Sequence, residues 1–407
     1  MAESGRVMAG WQKKVAVLLL MGALVQPALA DDEGAGEQWV KLNHKAGELL
    51  KQGQYDAAMQ MALDAVKVAM VNVGPDHPDL ASSLHTQAMI YEEQGRYELA
   101  EPLYVRALAI REQKLGSPHR QLALSLRNLG GLYQKQGRYA AAEPLLTRSL
   151  AMLQGLLIPQ HPEIANAQIS LASLYLLQEQ PQRAEPLFLS ALKAHEKMQG
   201  EDHPDVATTL NSLGLCYVAQ QRFADAEAVY LRALAIREKV LGPQHPYVAL
   251  SYQTLGELYE KQQRFDQAEQ RYKQALVLNE QALGAGHPDV AVSLHSLGAF
   301  YDARGLSTMS EPLYLRSLAI FEKTVGPEHA FVAVNLNDLG KIYVDRKQFD
   351  KAEPLYRRAI AIWEKNLGPN HPNVGIGLEN LAALFRNTQR DQEAAVLEAR
   401  AKLIRGS

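Results

Sequence analysis

Eight histidines recur along this chain at a fixed spacing of 42 residues. They are His77, His119, His161, His203, His245, His287, His329 and His371. Histidine is a common metal ligand and the usual general acid or base near neutral pH, so this column is the first candidate for chemistry. A metal site, however, needs three or four ligands that converge on one ion. Side chains one full repeat apart are expected to lie too far from each other for that.

The neighbours of each histidine favour a structural role. Gly242 precedes His245 and can end one helix, and Pro246 follows it and suits the first turn of the next helix. Proline follows six of the eight histidines. We therefore interpret the column as residues that cap helices and pack loops.

Other catalytic patterns are absent from the sequence. It contains no GxSxG, Walker A, HExxH or glycine-rich phosphate motif. Cys216 is the only cysteine, which excludes an intramolecular disulfide and indicates one more small core residue. Each recurring Glu, Arg and His recurs with the repeat, as expected for a scaffold. We predict no enzymatic activity, no cofactor and no metal.

The elements that carry these residues are two amphipathic helices per repeat. In the unit from Asp205 to Pro246, the first spans about 204–221 and the second about 224–241. A period of this length is typical of solenoids. Glycine recurs inside the first helix, where it costs about 1 kcal/mol against alanine, so we expect close helix–helix approach there. This glycine column comprises Gly130, Gly214, Gly256, Gly298 and Gly340.

The repeat resembles a known one in its fixed positions. Leucine, glycine, tyrosine, alanine, an aromatic residue and alanine fall in register at Leu213, Gly214, Tyr217, Ala226, Tyr230 and Ala233. These columns resemble the tetratricopeptide repeat. The phrases AEPLY (100–104), RALAI (106–110) and LGPxHPxVA (241–249) are similar to its kinesin-light-chain variety. Over roughly residues 40–405, the resemblance implies an all-α, right-handed α-solenoid of about nine stacked antiparallel helix pairs.

The repeats set the domain organisation. We predict a signal peptide at 1–30, a short flexible segment at 31–40, a weak first pair at 41–71, seven strong pairs between 78 and 367, and a capping pair at 372–404. Two copies depart from the pattern, at Gln180-Pro181 and at 305–308, where stacking is expected to loosen.

Residues 1–30 have the plan of a secretory signal peptide. Lys13 and Lys14 precede an apolar run at 15–25, and small residues lead to Ala30, after which we place the cleavage. The run is short for a transmembrane helix, although a retained anchor is the alternative. We therefore expect a periplasmic or secreted protein that is not inserted in the membrane after cleavage.

The net charge bears on the partner. The chain has a net charge of −3, and segment 1–30 carries three cations and one anion, so the mature chain has −5. This mild acidity argues against nucleic acid and against an anionic membrane as the partner.

In the tetratricopeptide family the first helix of each pair lines a concave face that contacts peptides. The family position three residues before the glycine column corresponds to His85, Arg127, Ile169, Asn211, Gln253, His295, Asn337 and Glu379. Polar groups on such an exposed face could hydrogen-bond a peptide backbone. The predicted peptide-binding groove consists of His85, Arg127, Asn211, Gln253, Glu257, His295, Asn337 and Lys341. The alternative is a solvated groove without a specific ligand.

Three functions follow from these observations. The first is an exported adaptor or scaffold that binds proteins or peptides in its groove. The second is an accessory subunit that orients an enzyme through its convex face. The third is a self-assembling structural array. The sequence leaves the partner and the oligomeric state open.

Overall fold

The computed structural model describes residues 34–406, and the predicted signal peptide at 1–30 lies outside them. These residues form eighteen α-helices and no strand. The helices are α1 (Glu37–Lys51), α2 (Tyr55–Asn72), α3 (Pro78–Glu93), α4 (Tyr97–Leu115), α5 (Arg120–Lys135), α6 (Tyr139–Leu156), α7 (Pro162–Leu177), α8 (Pro181–Gln199), α9 (Pro204–Ala219), α10 (Phe223–Leu241), α11 (Pro246–Lys261), α12 (Phe265–Leu283), α13 (Pro288–Ala303), α14 (Ser307–Thr324), α15 (Ala330–Asp345), α16 (Phe349–Leu367), α17 (Pro372–Asn387) and α18 (Asp391–Gly406).

The described chain divides into two compact units, residues 34–178 and residues 179–406. The first unit contains α1 to α7, and the second contains α8 to α18. The sequence predicts one array over 41–405. The division falls between Gln178 and Glu179, in the turn of the copy whose Gln180-Pro181 departs from the repeat pattern.

Within each unit, helices pack in consecutive pairs. Pairs such as α3 and α4, or α9 and α10, are joined by three-residue turns and contact each other along their length. Each second helix also packs on the first helix of the next pair, and the first helices of several neighbouring pairs touch. The predicted all-α architecture of stacked helix pairs is confirmed. Its right-handed sense stays a prediction.

The histidine column starts the first helices. In all eight copies the imidazole Nδ1 accepts a hydrogen bond from the backbone N–H two residues on, at 3.1–3.2 Å. Each histidine therefore satisfies one of the amide donors left free at a helix N-terminus. The capping role inferred from the sequence is confirmed.

The turn inside each pair requires a left-handed residue. The middle residue of the three-residue turn has a positive φ in all nine copies in residues 34–406. Four copies have glycine there, as in Gly95 and Gly137. The other five have Glu179, Gln221, Gln263, Lys347 and Gln389, with φ between 58° and 63°. A side chain in this region costs roughly 1–2 kcal/mol, which explains the glycine of the Gly-Arg-Tyr phrase.

The glycine column marks close packing between the two helices of a pair. A Cβ placed on Gly340 would lie 2.7 Å from Tyr356 Cε1, and one on Gly256 would lie 3.1 Å from Tyr272 Cδ1. The tyrosine rings of the second helices thus occupy the space that a methyl group would need. The close approach expected from the sequence is confirmed.

The turn arginines connect neighbouring pairs. Arg222 lies 4.2 Å over the Tyr217 ring, and its guanidinium pairs with Glu185 of the preceding pair at 2.8 Å. The same three-residue arrangement recurs around Arg138 and Arg264. The Glu of AEPLY and the Arg of Gly-Arg-Tyr are therefore the two halves of one contact between pairs.

The prediction of a flexible segment at 31–40 is wrong for residues 34–40. Helix α1 begins at Glu37, and the Trp39 side chain is buried, with its indole Nε1 donating to Ser83 Oγ at 2.7 Å. The Ala35 backbone N–H donates to Asp79 at 2.7 Å. Burial of a large aromatic ring, together with satisfied polar groups, orders this segment.

Candidate functional site

The predicted groove column is mostly buried. His85, Asn211, Gln253, His295 and Asn337 expose between 0 and 8% of their surface. The expectation that these five residues stand on an exposed face is therefore wrong. Sequence spacing places them on one stripe of the first helices, which we call the inner stripe. It does not indicate how closely the next first helix approaches that stripe.

Three of the five buried members of the column bridge successive first helices. His85 Nε2 lies 2.7 Å from Asn128 Nδ2, and His295 Nε2 lies 2.8 Å from Asp338 Oδ2. In the same way Asn337 Oδ1 accepts from Asn380 Nδ2 at 2.8 Å. The partner is 43 residues on in each case, one position past the column in the next repeat. These side chains therefore align neighbouring pairs.

Three predicted residues remain partly accessible, namely Arg127, Glu257 and Lys341. The Lys341 ammonium pairs with the buried Asp302 carboxylate at 2.7 Å. Glu257 accepts a hydrogen bond from Gln253 Nε2 at 3.3 Å. Solvent therefore reaches part of each of these three side chains.

Two arginines of the unit 34–178, Arg111 and Arg127, are buried or half-buried near His85. Arg111 is 3% exposed and donates to Ser125 Oγ at 2.5 Å and to Ser82 Oγ at 3.0 Å. Burial lowers its pKa to about 10. Burial, then Arg111 and Arg127, hold the pKa of His85 well below its usual range.

Arg111 lies at a repeat position outside the predicted groove column. Its repeat equivalent, Arg237, donates to Ser251 Oγ at 2.7 Å and is also buried. Arginine in the second helix followed by serine 14 residues later is a pattern visible in the sequence. That spacing would have indicated a buried polar contact between pairs.

The inner side of the unit 179–406 is acidic. We call Glu257, Glu260, Asp302 and Asp338 the acidic stripe; they lie on α11, α13 and α15. Burial raises the pKa of Glu257 to about 7 and also raises the pKa values of Glu260 and Asp302. The cause in each case is the loss of water around the carboxylate, which disfavours its charged form.

Cys216 lies in the core of the same unit, as predicted. It is fully buried, and its thiol donates to the Pro181 carbonyl oxygen at 3.3 Å. Burial raises the pKa of this thiol to about 11. A thiol of that kind is a structural residue and a poor nucleophile.

Within residues 34–406, no three His, Cys, Asp or Glu side chains are grouped so that they could hold a metal ion. None of the helices in this range is long and apolar enough to span a membrane.

The repeats match one family model along almost the whole described chain. The model is described as the tetratricopeptide repeat, and it matches residues 40–113, 121–197, 163–239, 205–281, 262–323, 289–365 and 333–401. The chain belongs to the tetratricopeptide repeat family. No curated protein sequence matches it.

Solved structures with similar repeats include two kinesin-light-chain-like proteins. BtubC (BKLC) from P. vanneervenii is 26% identical, with 56% of this chain and 92% of that chain covered and a TM-score of 0.46. The second is a Podosopora anserina protein named as a kinesin light chain, which was solved as nearly identical TPR-like repeats. It is 26% identical to this chain, with 51% of this chain and 98% of that chain covered and a TM-score of 0.42. The predicted tetratricopeptide-repeat protein is confirmed by the family match.

A Rap protein complexed with Competence and Sporulation Factor is similar in fold over more of the chain. It is 13% identical, covers 91% of this chain and 98% of its own, and has a TM-score of 0.57. At this identity the similarity concerns the fold alone.

In this tetratricopeptide protein the inner stripe combines two kinds of side chain. Buried amides and imidazoles align the pairs, and half-buried charges such as Glu257 remain accessible beside them.

Proposed function

We propose that this tetratricopeptide-repeat scaffold is an exported adaptor that holds a peptide or protein segment against the inner side of its first helices and has no catalysis of its own. The observation that carries this proposal is the accessible charge on the inner stripe. Arg127 and Glu257 are half-buried charged groups that lie among side chains devoted to packing. Charge that is partly desolvated and still reachable is a usual feature of recognition sites.

Membership of the tetratricopeptide repeat family also implies a protein or peptide as the partner. The Rap protein, a neighbour in fold, was solved in complex with Competence and Sporulation Factor. The sequence segment 1–30 supports export, since it follows the plan of a secretory signal peptide.

Selection of random peptides displayed on phage tests the binding proposal. We expect the purified protein to enrich a family of related peptides. Peptides that bind the unit 34–178 should bind less tightly to Arg127→Ala than to the wild type, and peptides that bind the unit 179–406 should bind less tightly to Lys341→Ala. Failure to enrich any related sequences, or full binding by both variants, would contradict the proposal.

Export is tested by the mature N-terminus. Mass spectrometry of the protein from its native cells should find a chain beginning at Asp31 outside the cytosol. Detection of the intact chain from Met1 in the cytosol would contradict export and leave the binding proposal standing.

The outer side of the unit 179–406 supports a second candidate, an accessory subunit that contacts an enzyme there. Leu189, Leu231 and Leu315 occupy one position of the second helices and are 42–45% exposed. The variant Leu231→Glu distinguishes the two. It should leave peptide binding unchanged, whereas loss of partner binding in this variant alone would favour the outer side.

A further inference from the structure

Glu257 has a carboxylate without a cationic partner. Its side chain is half-buried on the inner side of α11, and its hydrogen bond comes from the neutral amide of Gln253. No Lys, Arg or His nitrogen in residues 34–406 lies within ion-pair distance of it. Comparable inner carboxylates do have such a partner: Lys341 pairs with Asp302, and Lys135 pairs with Glu92 at 2.8 Å.

The surroundings of Glu257 do not supply the missing charge. On its own helix, Lys261 and Glu260 act on it from a distance with opposite signs. Tyr230 on α10 and Tyr272 on α12 lie close enough to feel its charge, and both are neutral phenols with raised pKa values. The inner side of α13 adds His295 and Asp302, and both are already paired. The acidic stripe therefore has more carboxylates than cations.

Two buried polar groups on helices of the same unit also lack partners. Asn211 on α9 is fully buried, and neither its Oδ1 nor its Nδ2 has a hydrogen bond within the described chain. At the equivalent position His295 and Asn337 reach the next first helix, which for the helix of Asn211 is α11. An unpaired buried polar group is costly, and its presence here indicates a site that is completed by something else.

The second unpaired group is the Tyr314 hydroxyl, also fully buried. Its ring contacts that of His295, with centroids 5.2 Å apart, and Asp338 and Asp302 are close enough to affect its pKa. One repeat earlier, the Tyr272 hydroxyl donates to Glu260 at 2.9 Å. Tyr314 lacks that bond because the equivalent residue is Asp302, which is shorter and is held by Lys341.

We infer that the acidic stripe accepts the side chain of a lysine or arginine from a bound peptide, with the Glu257 carboxylate as its counter-ion. The inference rests on the proposed peptide-binding function and adds the chemistry of the ligand to it. A guanidinium or ammonium is the complement to a partly desolvated carboxylate, because it restores the interactions that water no longer provides.

The test uses the phage-selected peptides after chemical synthesis. Each arginine is replaced with citrulline and each lysine with norleucine, which remove the charge and keep the shape. Affinity is measured for each peptide against the wild-type protein and against Glu257→Gln. Loss of a charged hydrogen-bond partner is expected to weaken binding by about ten- to hundredfold. In the double combination the two losses should not add, because they remove the same contact.

Two further measurements separate a binding role from a structural one. Wild-type affinity should increase between about pH 6 and about pH 8, since the carboxylate must be ionised, and Glu257→Gln should remove this dependence. Glu257→Gln should also unfold at a higher denaturant concentration at about pH 8, because it removes a buried charge. If Glu257 only stabilised the fold, Glu257→Gln would unfold at a lower denaturant concentration than the wild type. The control is Glu201→Gln, an exposed acid in the turn before α9 that should change neither property.

The outcomes are distinct. Selected peptides that lose affinity on neutralisation of one cation, with strong coupling to Glu257, support the inference. The inference is overturned if the peptides bind Glu257→Gln as tightly as the wild type. It is also overturned if neutralising the peptide cation weakens binding equally in the wild type and in Glu257→Gln. Both outcomes leave the proposed function intact. If no peptides are enriched at all, the proposed function falls and the inference falls with it.

Discussion

At the scale of single residues, the same repeat position on the inner stripe forms a contact between pairs in some copies and leaves a buried polar group unpaired in another. His85, His295 and Asn337 each find a partner on the next first helix, whereas Asn211 finds none. The residue 43 positions after Asn211 is Thr254, whose hydroxyl donates to the Ser251 carbonyl oxygen at 3.0 Å. The contact that stabilises other repeats is therefore missing between α9 and α11.

Replacing Asn211 with leucine should stabilise the protein. Both amide atoms are buried and unpaired, and such groups cost about 1–3 kcal/mol, while leucine has the same branched arrangement of heavy atoms without polar groups. We expect a gain of about 1 kcal/mol in the free energy of unfolding, measured by urea denaturation. Asn337→Leu is the matched control and should destabilise, because it breaks the bond to Asn380. A loss of stability in Asn211→Leu would contradict the prediction.

Acid should weaken the cap at His245. Burial, then Arg237, lowers the pKa of this imidazole, so the folded state holds its proton less tightly than the unfolded chain. The stability contribution of the neutral ring is therefore complete above the unfolded pKa of about 6.5 and is lost as the pH falls below it. His245→Asn keeps an oxygen acceptor that does not titrate.

Urea denaturation between about pH 8 and about pH 5 measures this effect. The difference in stability between His245→Asn and the wild type should move in favour of the variant as the pH falls. A constant difference across that range would contradict it.

At the scale of the helix pair, the turn keeps the same three-residue length and the same backbone conformation in every copy of residues 34–406. All nine turns in residues 34–406 put one residue at positive φ, and only four of them use glycine there. The others tolerate the strain because the helices on either side fix the backbone of the turn. Stacked arginine–tyrosine pairs such as Arg222 and Tyr217 add a further contact at the same place.

Gln221→Gly should therefore stabilise the pair of α9 and α10. Gln221 has a φ of 61°, where a side chain costs roughly 1–2 kcal/mol, and the entropy of glycine in the unfolded chain offsets about half of this. We expect a net gain of about 0.5 kcal/mol in thermal or urea unfolding. The reverse change, Gly137→Gln, should destabilise by a similar amount. Equal stability of both variants and the wild type would show that the turn is not strained.

At the scale of the whole molecule, each pair touches only its neighbours, so damage should spread locally within a unit. Tyr217→Ala removes a buried ring from α9 and should cost about 3–5 kcal/mol. Hydrogen exchange should then increase in α9 to α12 before it increases in α15 to α18. Uniform deprotection of all these helices would contradict this prediction, and the surface variant Asp266→Asn serves as the control.

The sequence by itself determined the features that repeat. A period of 42 residues, the capping histidines, the turn glycines and the glycine column are local or recur within one pair, so the helix bounds and the family could be inferred from them. Helix periodicity also placed the candidate residues on one stripe of the first helices.

Only the tertiary structure decided which of those residues a ligand can reach. Burial of Asn211 and His295 depends on how closely successive first helices approach, and that distance is set by packing between residues about forty positions apart. The same packing leaves Glu257 half-exposed without a counter-ion and buries Arg111, a position that periodicity alone did not single out. The order seen in residues 34–40 likewise depends on Ser83 and Asp79 of the next pair, which no local pattern near Trp39 reveals.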